Sequence, residues 1–325
     1  MTATPTLPVD RSLAPAANPP NPQIGIVLIN WNRFALVAAC IDSIRRSGYD
    51  RTRIVVVDNG SADDSPAWLR AAYPEIEVIE NGQNLGFAGA NNVGMRWLLT
   101  AGVDCVLLLD DDTEISPAML HELVAVLFTD EGIGVVGPKI YYFDDAERIW
   151  FSGGAVDRLG QADHPGADAL DQDVTTLATD VDYITGCALM VKRSVIERVG
   201  LLEERFFAYY EETEFCARIR AHGFRVTLVP SATMWHKVRP GDRPSSPVYL
   251  YLMTRNRLLY LRCTGASGGT LLAATLDLLR TAASLALRPR HRAARHHVPT
   301  LLRGIGDFFR ARYGPPPAAV VAARG

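Results

Sequence analysis

Ile24 to Ile29 is apolar throughout and ends abruptly in the polar cluster Asn30-Trp31-Asn32. Ile54 to Val57, Ile76 to Ile79, Cys105 to Leu109 and Ile133 to Val136 repeat that form, each closed by polar or glycine-bearing turns. Short apolar runs of this kind predict strands buried on both faces. Helical spacing over 34–44, 66–72, 84–100 and 117–128 falls between them, and the third of these helices opens from a glycine-containing loop. Strands alternating with helices of ~10–15 residues predict an α/β fold, a mostly parallel sheet with helices on both faces.

The pattern changes after Pro138. Residues 144–180 carry many Asp and Gly, which predicts loops and short antiparallel strands. Ala188–Val191 reads as a buried strand, Glu211–Ala221 as a helix ended by Gly223, and Arg225–Val229 as a strand stopped by Pro230. A proline-rich loop, 239–247, precedes a helix from Val248 to Arg262. From Gly269 to Tyr313 two amphipathic basic helices are expected, with Leu301, Leu302, Ile305, Phe308 and Phe309 opposite Arg303, Arg310 and Arg312. Packing of these helices on the body would give the same pattern. The division expected is a disordered Pro/Ala/Asn-rich leader over 1–22, a main domain over 23–262 with halves 23–138 and 139–262, and a basic helical tail over 263–325. No stretch reaches the roughly 18 uncharged apolar residues of a spanning helix; the nearest, Leu271–Leu287, contains Asp277 and Arg280.

Hydrophobic residues make up 48% of the 325 and charged ones 21%, which fits a globular chain. The net charge of -3 conceals an asymmetry. Before Trp235 there are eighteen Lys/Arg against thirty-three Asp/Glu; from Trp235 onward there are fifteen against three. The acidic body argues against a nucleic-acid partner. The basic tail suggests an anionic one, such as a membrane surface met through 263–325. The five cysteines are scattered, odd in number and without metal-type spacing, which suggests reduced, buried thiols in a cytoplasmic protein, peripheral on the inner face of the cell membrane if the tail binds there.

The chemistry concentrates at Val106-Leu107-Leu108-Leu109-Asp110-Asp111-Asp112-Thr113. Strand alternation points Asp110 and Asp112 one way and Asp111 the other. Acids at the carboxyl end of a buried strand sit where open α/β sheets bind ligands. They stay ionised there only if a cation or hydrogen-bond donors share the site. A hard divalent ion with a phosphorylated ligand meets that demand, and so does a solvated acidic turn capping the helix after Ser116-Pro117. The first strand lacks the Gly-x-Gly-x-x-Gly of a dinucleotide site, and no Walker A loop is present.

Several further segments fall in order along the chain. They are Val27-Leu28-Ile29-Asn30-Trp31-Asn32, Val56-Val57-Asp58-Asn59-Gly60-Ser61, Asn84-Leu85-Gly86-Phe87-Ala88-Gly89-Ala90-Asn91-Asn92, Thr185-Gly186-Cys187, Phe206-Phe207-Ala208-Tyr209-Tyr210-Glu211-Glu212, His236-Lys237 and Arg255-Asn256-Arg257. With the acidic triplet, they make the chain from Ile24 to about Asn256 resemble family 2 glycosyltransferases of the GT-A fold, and within them rhamnosyltransferase-like enzymes. The resemblance implies a nucleoside-diphosphate sugar donor, dTDP-rhamnose by family likeness, with UDP-galactofuranose, UDP-GlcNAc and UDP-glucose open. The implied acceptor is a glycan or a polyprenyl-linked glycan in cell-surface polysaccharide synthesis.

Roles follow from the same resemblance. Asp58 is placed to accept from the N–H of a uracil or thymine ring, although an Asx-turn before Gly60 uses the same residue. Asn30 and Asn32 contact base or ribose, or serve as turn residues. The loop from Asn84 through Gly86 to Asn92 offers N–H groups and amides to the donor phosphate or sugar, or is ordinary loop-to-helix chemistry. The family's D-x-D falls on Asp110 and Asp112, with Asp110 toward the ribose, Asp111 among the donor-binding residues, and Asp112 on Mg2+ or Mn2+; His236 completes the metal site. An inverting transfer needs a general base. Where the family carries Glu-Asp, this chain has Glu211-Glu212, so Glu212 is the expected base and Glu211 the second candidate. Both lie in a helix's first turn, where the dipole favours an ionised carboxylate. The departure leaves room for a sugar-nucleotide-binding protein without turnover. A nucleotidyltransferase would present a Gly-rich basic loop after the first strand, which Asn30-Trp31-Asn32-Arg33 is not.

Overall fold

The computed structural model describes residues 21–171, 177–240 and 246–322; the expected leader lies almost wholly outside them. Strands β1 (Ile24–Asn30), β2 (Thr52–Asp58), β3 (Glu77–Glu80) and β4 (Cys105–Leu109) are parallel and alternate with α1 (Phe34–Arg46), α2 (Ser65–Ala72) and α3 (Gly86–Thr100). All five residues of β4 are buried, as a strand covered on both faces requires. The chain continues through β5 (Thr113–Ile115), α4 (Met119–Leu127), β6 (Ile133–Tyr142), β7 (Ile149–Phe151), β8 (Ala155–Val156), β9 (Ala162–Asp163) and β10 (Thr179–Asp180). Then follow β11 (Ala188–Lys192), α5 (Arg193–Val199), α6 (Glu211–Ala221) and β12 (Arg225–His236).

The main sheet has the order β10-β12-β6-β11-β4-β1-β2-β3. β11 runs antiparallel to both β4 and β6, so the parallel first half becomes a mixed sheet. β2 and β3 lie on one side of β1 and β4 on the other, which makes the carboxyl end of β1 a topological switch point with a crevice above it.

Two prolines that look like strand ends lie inside strands. β6 continues through Pro138 to Tyr142, and β12 continues through Pro230 to His236. Val229 pairs with Pro138 and the next pair is Thr233 with Lys139, so β12 bulges between them. Proline has no N–H for the ladder, and a bulge is where a sheet tolerates one. Because the strand resumes, His236 ends β12 itself and pairs with Thr113 of β5, next to the acidic triplet.

The C-terminal helices are α7 (Pro247–Cys263), α8 (Gly268–Leu287), a 3-10 segment (Pro289–His297), α9 (Val298–Phe309) and α10 (Ala318–Val321). Ala274 and Leu278 of α8 and Ile305 and Phe308 of α9 share a core with Leu258 and Leu259 of α7 and with Phe206 and Tyr210. The tail therefore packs as part of the body. The apolar side of α9 divides, with Leu301, Ile305 and Phe308 buried and Leu302 and Phe309 exposed. Among the described residues, α8 is long and apolar enough by length and composition to cross a membrane, which the sequence reading did not expect. Asp277 in its middle pairs with Arg257 of α7 at 2.9 Å and ties the helix to the protein.

Candidate active site

A cleft of about 240 Å³ opens at the switch point, lined among others by Trp31, Arg33, Asn59, Asp110, Asp111 and Phe207. The ends of β1 and β2 are braced beneath it. Asp58 Oδ1 accepts from Asn30 Nδ2 at 2.7 Å and from Ser61 Oγ at 2.5 Å, while Oδ2 accepts from the Ser61 N–H at 3.0 Å. Asp58, only 3% exposed, is thus tied to the end of β1 and to the turn that follows it. Asn32, at φ 58°, accepts from the Ala62 N–H at 2.7 Å, as a turn residue would. Asn59, rather than Asp58, reaches the cleft wall.

Asn84 and Gly86 do come to the cleft. Asn84 Oδ1 accepts from the Gly86 N–H at 2.8 Å and from Asn59 Nδ2 at 3.1 Å. Gly86 has φ 75°, and a Cβ there would lie 2.3 Å from the Phe207 carbonyl oxygen, so the close approach requires glycine. Asn92 departs from expectation. Its Nδ2 donates to the Leu202 carbonyl and to Glu204 Oε1, both at 2.9 Å, and its Oδ1 accepts from the Leu202 N–H at 3.0 Å. At about 1.5 Å per residue it sits about 9 Å along α3 from Gly86, where it braces the helix from inside.

β4 ends at Leu109, so the turn after it, rather than the strand pleat, sets the directions of the three acids. Asp110 and Asp111 both line the cleft, and Asp111 and Asp112 share Arg33, whose Nη1 lies 3.3 Å and 3.2 Å from their carboxylates. The expected separation of Asp111 from its neighbours does not hold. His236 Nε2 lies 3.0 Å from Asp112 Oδ1. Asp110, Cys187 and His236 bring potential ligand atoms within 4.8 Å of one another. Burial pushes Asp110 well above the carboxylate range, and the charge of Asp112 adds to the rise. Burial and Asp112 likewise lift Asp111 to about 6, against the pull of Arg33. Burial also opposes the charge on Asp112, but His236 and Arg33 more than offset it, and Asp112 stays below the ordinary range.

Carboxylates that raise one another's pKa, beside a histidine whose buried Nδ1 has no partner, form a set short of positive charge. Carboxylate oxygens and an imidazole nitrogen fit a divalent cation. Burial holds the Cys187 thiol far above its ordinary value, and a neutral thiol is a poor ligand. Asp110 and His236, with Asp112 at 3.0 Å from His236, are therefore the residues that could hold a divalent cation.

Glu211 and Glu212 open α6. Oε2 of each is buried without a hydrogen-bond partner. Burial pushes Glu212 up to about 7 despite the backbone N–H groups of residues 212 and 213. Burial and the neighbouring Glu212 lift Glu211 well above its usual range. The helix start was expected to keep both ionised; desolvation outweighs the dipole. A carboxyl titrating near neutrality suits a general base. A Cβ at Gly186 would lie 2.9 Å from the ring of Phe87, which lines the cleft, and 3.7 Å from Glu212 Cβ, so Gly186 stands between Glu212 and the cleft wall.

Trp31, Arg33 and Asn59 were not singled out from sequence as site residues. Trp31 and Arg33 lie in the turn just past the end of β1, where strand alternation no longer says which way a side chain points.

The sequence model described as Glycosyl transferase family 2 matches residues 25–200. The low-salt glycan biosynthesis hexosyltransferase Agl10 of Haloferax volcanii is 30% identical over 217 residues, 63% of this chain and 66% of that protein. The dTDP-rhamnosyl transferase RfbF of Shigella flexneri is 27% identical over 219 residues, 64% of this chain and 70% of RfbF. The N-acetylglucosaminyl-diphospho-decaprenol L-rhamnosyltransferase of Mycobacterium tuberculosis is 26% identical over 205 residues, 56% of this chain and 66% of that enzyme. The mannosyltransferase PcManGT from Pyrobaculum calidifontis, solved with GDP-Man and Mn2+, shares the fold at TM-score 0.57 and 17% identity, over 93% of this chain and 90% of that one. Since the family's own pattern runs through more than half of the chain, from β1 past the acidic turn to the end of α5, this protein belongs to glycosyl transferase family 2.

Proposed function

We propose that the protein is a metal-dependent inverting glycosyltransferase that moves a sugar, rhamnose for preference, from a nucleoside-diphosphate donor to a glycan or polyprenyl-linked acceptor. The observation that carries this reading is the cation-ready set Asp110, Asp112 and His236, of which Asp110 lines the cleft, with the near-neutral carboxyl of Glu212 behind Gly186 and the cleft-lining Phe87. The acceptor oxygen bonds to the anomeric carbon, the bond to the diphosphate breaks, the diphosphate leaves with the electron pair, and Glu212 takes the acceptor proton. When bound, a divalent ion supplies neutralisation of the departing diphosphate. Asn59, Asn84 and Trp31 line the side available to the nucleotide, and Gly86 lets the chain approach closely. The similarity to a dTDP-rhamnosyl transferase and to an N-acetylglucosaminyl-diphospho-decaprenol L-rhamnosyltransferase supports dTDP-rhamnose and a lipid-diphosphate acceptor.

Thermal shift with dTDP- and UDP-sugars, each with Mn2+ or Mg2+ and again with EDTA, tests the donor. One nucleotide sugar should raise Tm only when the ion is present, and that sugar should then be transferred to a lipid-linked glycan. No shift with any of them in either condition would sink the reading.

We further propose that the tail meets an anionic membrane face. Leu272, Leu276, Leu279 and Leu287 form an exposed apolar stripe on α8, followed at once by Arg288, Arg292 and Arg295. Both acids beyond residue 263 are committed, Asp277 to Arg257 and Asp307 to Arg303, so the outward charge is basic.

A further inference from the structure

The segment that delivers Glu211 and Glu212 is strained, and its restraint comes from outside the matched family region. Phe207, Tyr209 and Tyr210 have φ of 69°, 68° and 74°. Residues with a Cβ adopt such angles only where their surroundings impose them. Asn256 of α7 imposes them here. Its Nδ2 donates toward the carbonyls of Phe206, Ala208 and Tyr209 at 3.0, 2.8 and 2.8 Å. Arg255 fixes the direction of that amide by donating from Nε to Asn256 Oδ1 at 3.0 Å, and its Nη2 donates to the Phe206 carbonyl at 2.9 Å. Both side chains are fully buried.

The restraint continues on two sides. Arg255 Nη1 donates to the Gly314 carbonyl at 2.7 Å, and the Gly314 N–H donates back to the Arg205 carbonyl at 2.9 Å, so the chain after α9 closes the clamp. Toward the cleft, the Phe207 carbonyl accepts from the Ala88 N–H at 3.2 Å at the start of α3, and Phe207 and Ala208 form part of the cleft wall. One loop thus touches the donor side, carries the candidate base and is gripped from behind.

We propose that Arg255 and Asn256 are positioning residues that hold 206–210 in the single backbone shape that sets where Glu212 sits at the start of α6, with the segment around Gly314 as part of the same device. A merely space-filling pair would not need its donors aimed at three converging carbonyls, since apolar side chains would pack that core as well. The kinetic consequence rests on the glycosyltransferase reading; the structural one does not.

The test uses the full chain with Asn256→Asp, which keeps the shape but turns a donor into an acceptor facing three carbonyls, and Arg255→Lys, which loses the Nε contact. Hydrogen exchange, Tm and steady-state kinetics are measured on each. In Asn256→Asp, exchange over 206–212 should quicken by about tenfold or more while β1 and β4 keep their protection. Its kcat should fall about 10- to 100-fold, with donor KM within about threefold. Arg255→Lys should move both in the same direction by less, and it serves alone if the first variant does not fold. Unchanged exchange over 206–212, or a loss of kcat that tracks only the unfolded fraction, would overturn the proposal. If the wild type transfers no sugar, the transferase reading fails while exchange still decides the clamp.

Discussion

Glu212 should cost the protein stability at the pH where it works. Its carboxyl rises from an ordinary 4.5 to about 7 because Oε2 is buried without a partner at the start of α6, although the residue as a whole is half-buried, so the energy it implies is an upper figure. At about 1.4 kcal/mol per pH unit, that rise corresponds to about 3 kcal/mol. The sign follows from proton binding. Below about pH 4.5 both folded and unfolded chains hold the proton, and there is no penalty. Between 4.5 and about 7 the unfolded chain ionises first, so the folded chain loses stability as pH rises; above about 7 the loss is complete. Glu212→Gln removes the titration. Its amide nitrogen would lie where Oε2 has no partner, a fixed cost of about 1–3 kcal/mol that does not change with pH. The informative quantity is therefore the difference between conditions. Urea unfolding of both proteins should show the variant gaining about 3 kcal/mol on the wild type between about pH 4 and about pH 8. Its turnover should drop by about 10²- to 10⁴-fold. A stability difference that stays flat across that range would mean that Glu212 is hydrated in the folded protein, and the argument for it as a base poised near neutrality would fall with it.

Gly86→Ala should destabilise by about 2–4 kcal/mol, because it combines a positive φ with a clash against the Phe207 carbonyl, and it should weaken nucleotide binding by calorimetry; normal affinity would show that the cleft wall can move freely. Asn92→Ala should lower stability by about 1–3 kcal/mol through the orphaned Leu202 groups, yet leave nucleotide affinity unchanged, and a specific loss of affinity would return Asn92 to the donor site. Leu276→Asp with Leu279→Asp should abolish sedimentation with phosphatidylglycerol vesicles while Tm holds, since both leucines point outward; vesicle binding that persists would dismiss the membrane face.

Much of the frame was legible because it depends on local pattern. Continuous apolar runs marked β1, β2 and β4, and the polar residues that end them lie at the crevice. What escaped depends on partners far along the chain. Pro230 looks like a stop, and nothing near it shows that Pro138 lies opposite in β6, where one bulge accommodates both prolines and sends β12 on to His236. The acidic triplet was recognised but its directions were not, because alternation applies only while the strand lasts and β4 ends one residue before Asp110. Asn92 belongs by spacing to an Asn- and Gly-rich helix start, and only the fold reveals that its amide faces Leu202. The sign of the shift at Glu212 was hidden for the same reason, since a helix start is visible in sequence and the desolvation that overrides it is not.

The tail shows where such reading stops. Its leucines recur at helical spacing, and spacing alone does not say which side of a helix meets the body. In the structure Ala274 and Leu278 face the core shared with Phe206 and Tyr210, while Leu272, Leu276 and Leu279 face outward. The same helices therefore have two sides with different duties. The inner side supports the loop that leads into Glu211 and Glu212, through α7 and the hydrogen bonds at Gly314. The outer side is the one available to a membrane. Deleting the tail would remove both at once and report on neither, because loss of the inner side would disturb Phe206 and Tyr210 whether or not a membrane is ever bound. Substitutions confined to the outer stripe separate the two, and a lipid-linked acceptor gives the separation its meaning. If the outer stripe meets a membrane as proposed, turnover on a soluble acceptor should survive changes at Leu276 and Leu279, and be lost only on an acceptor held in the bilayer.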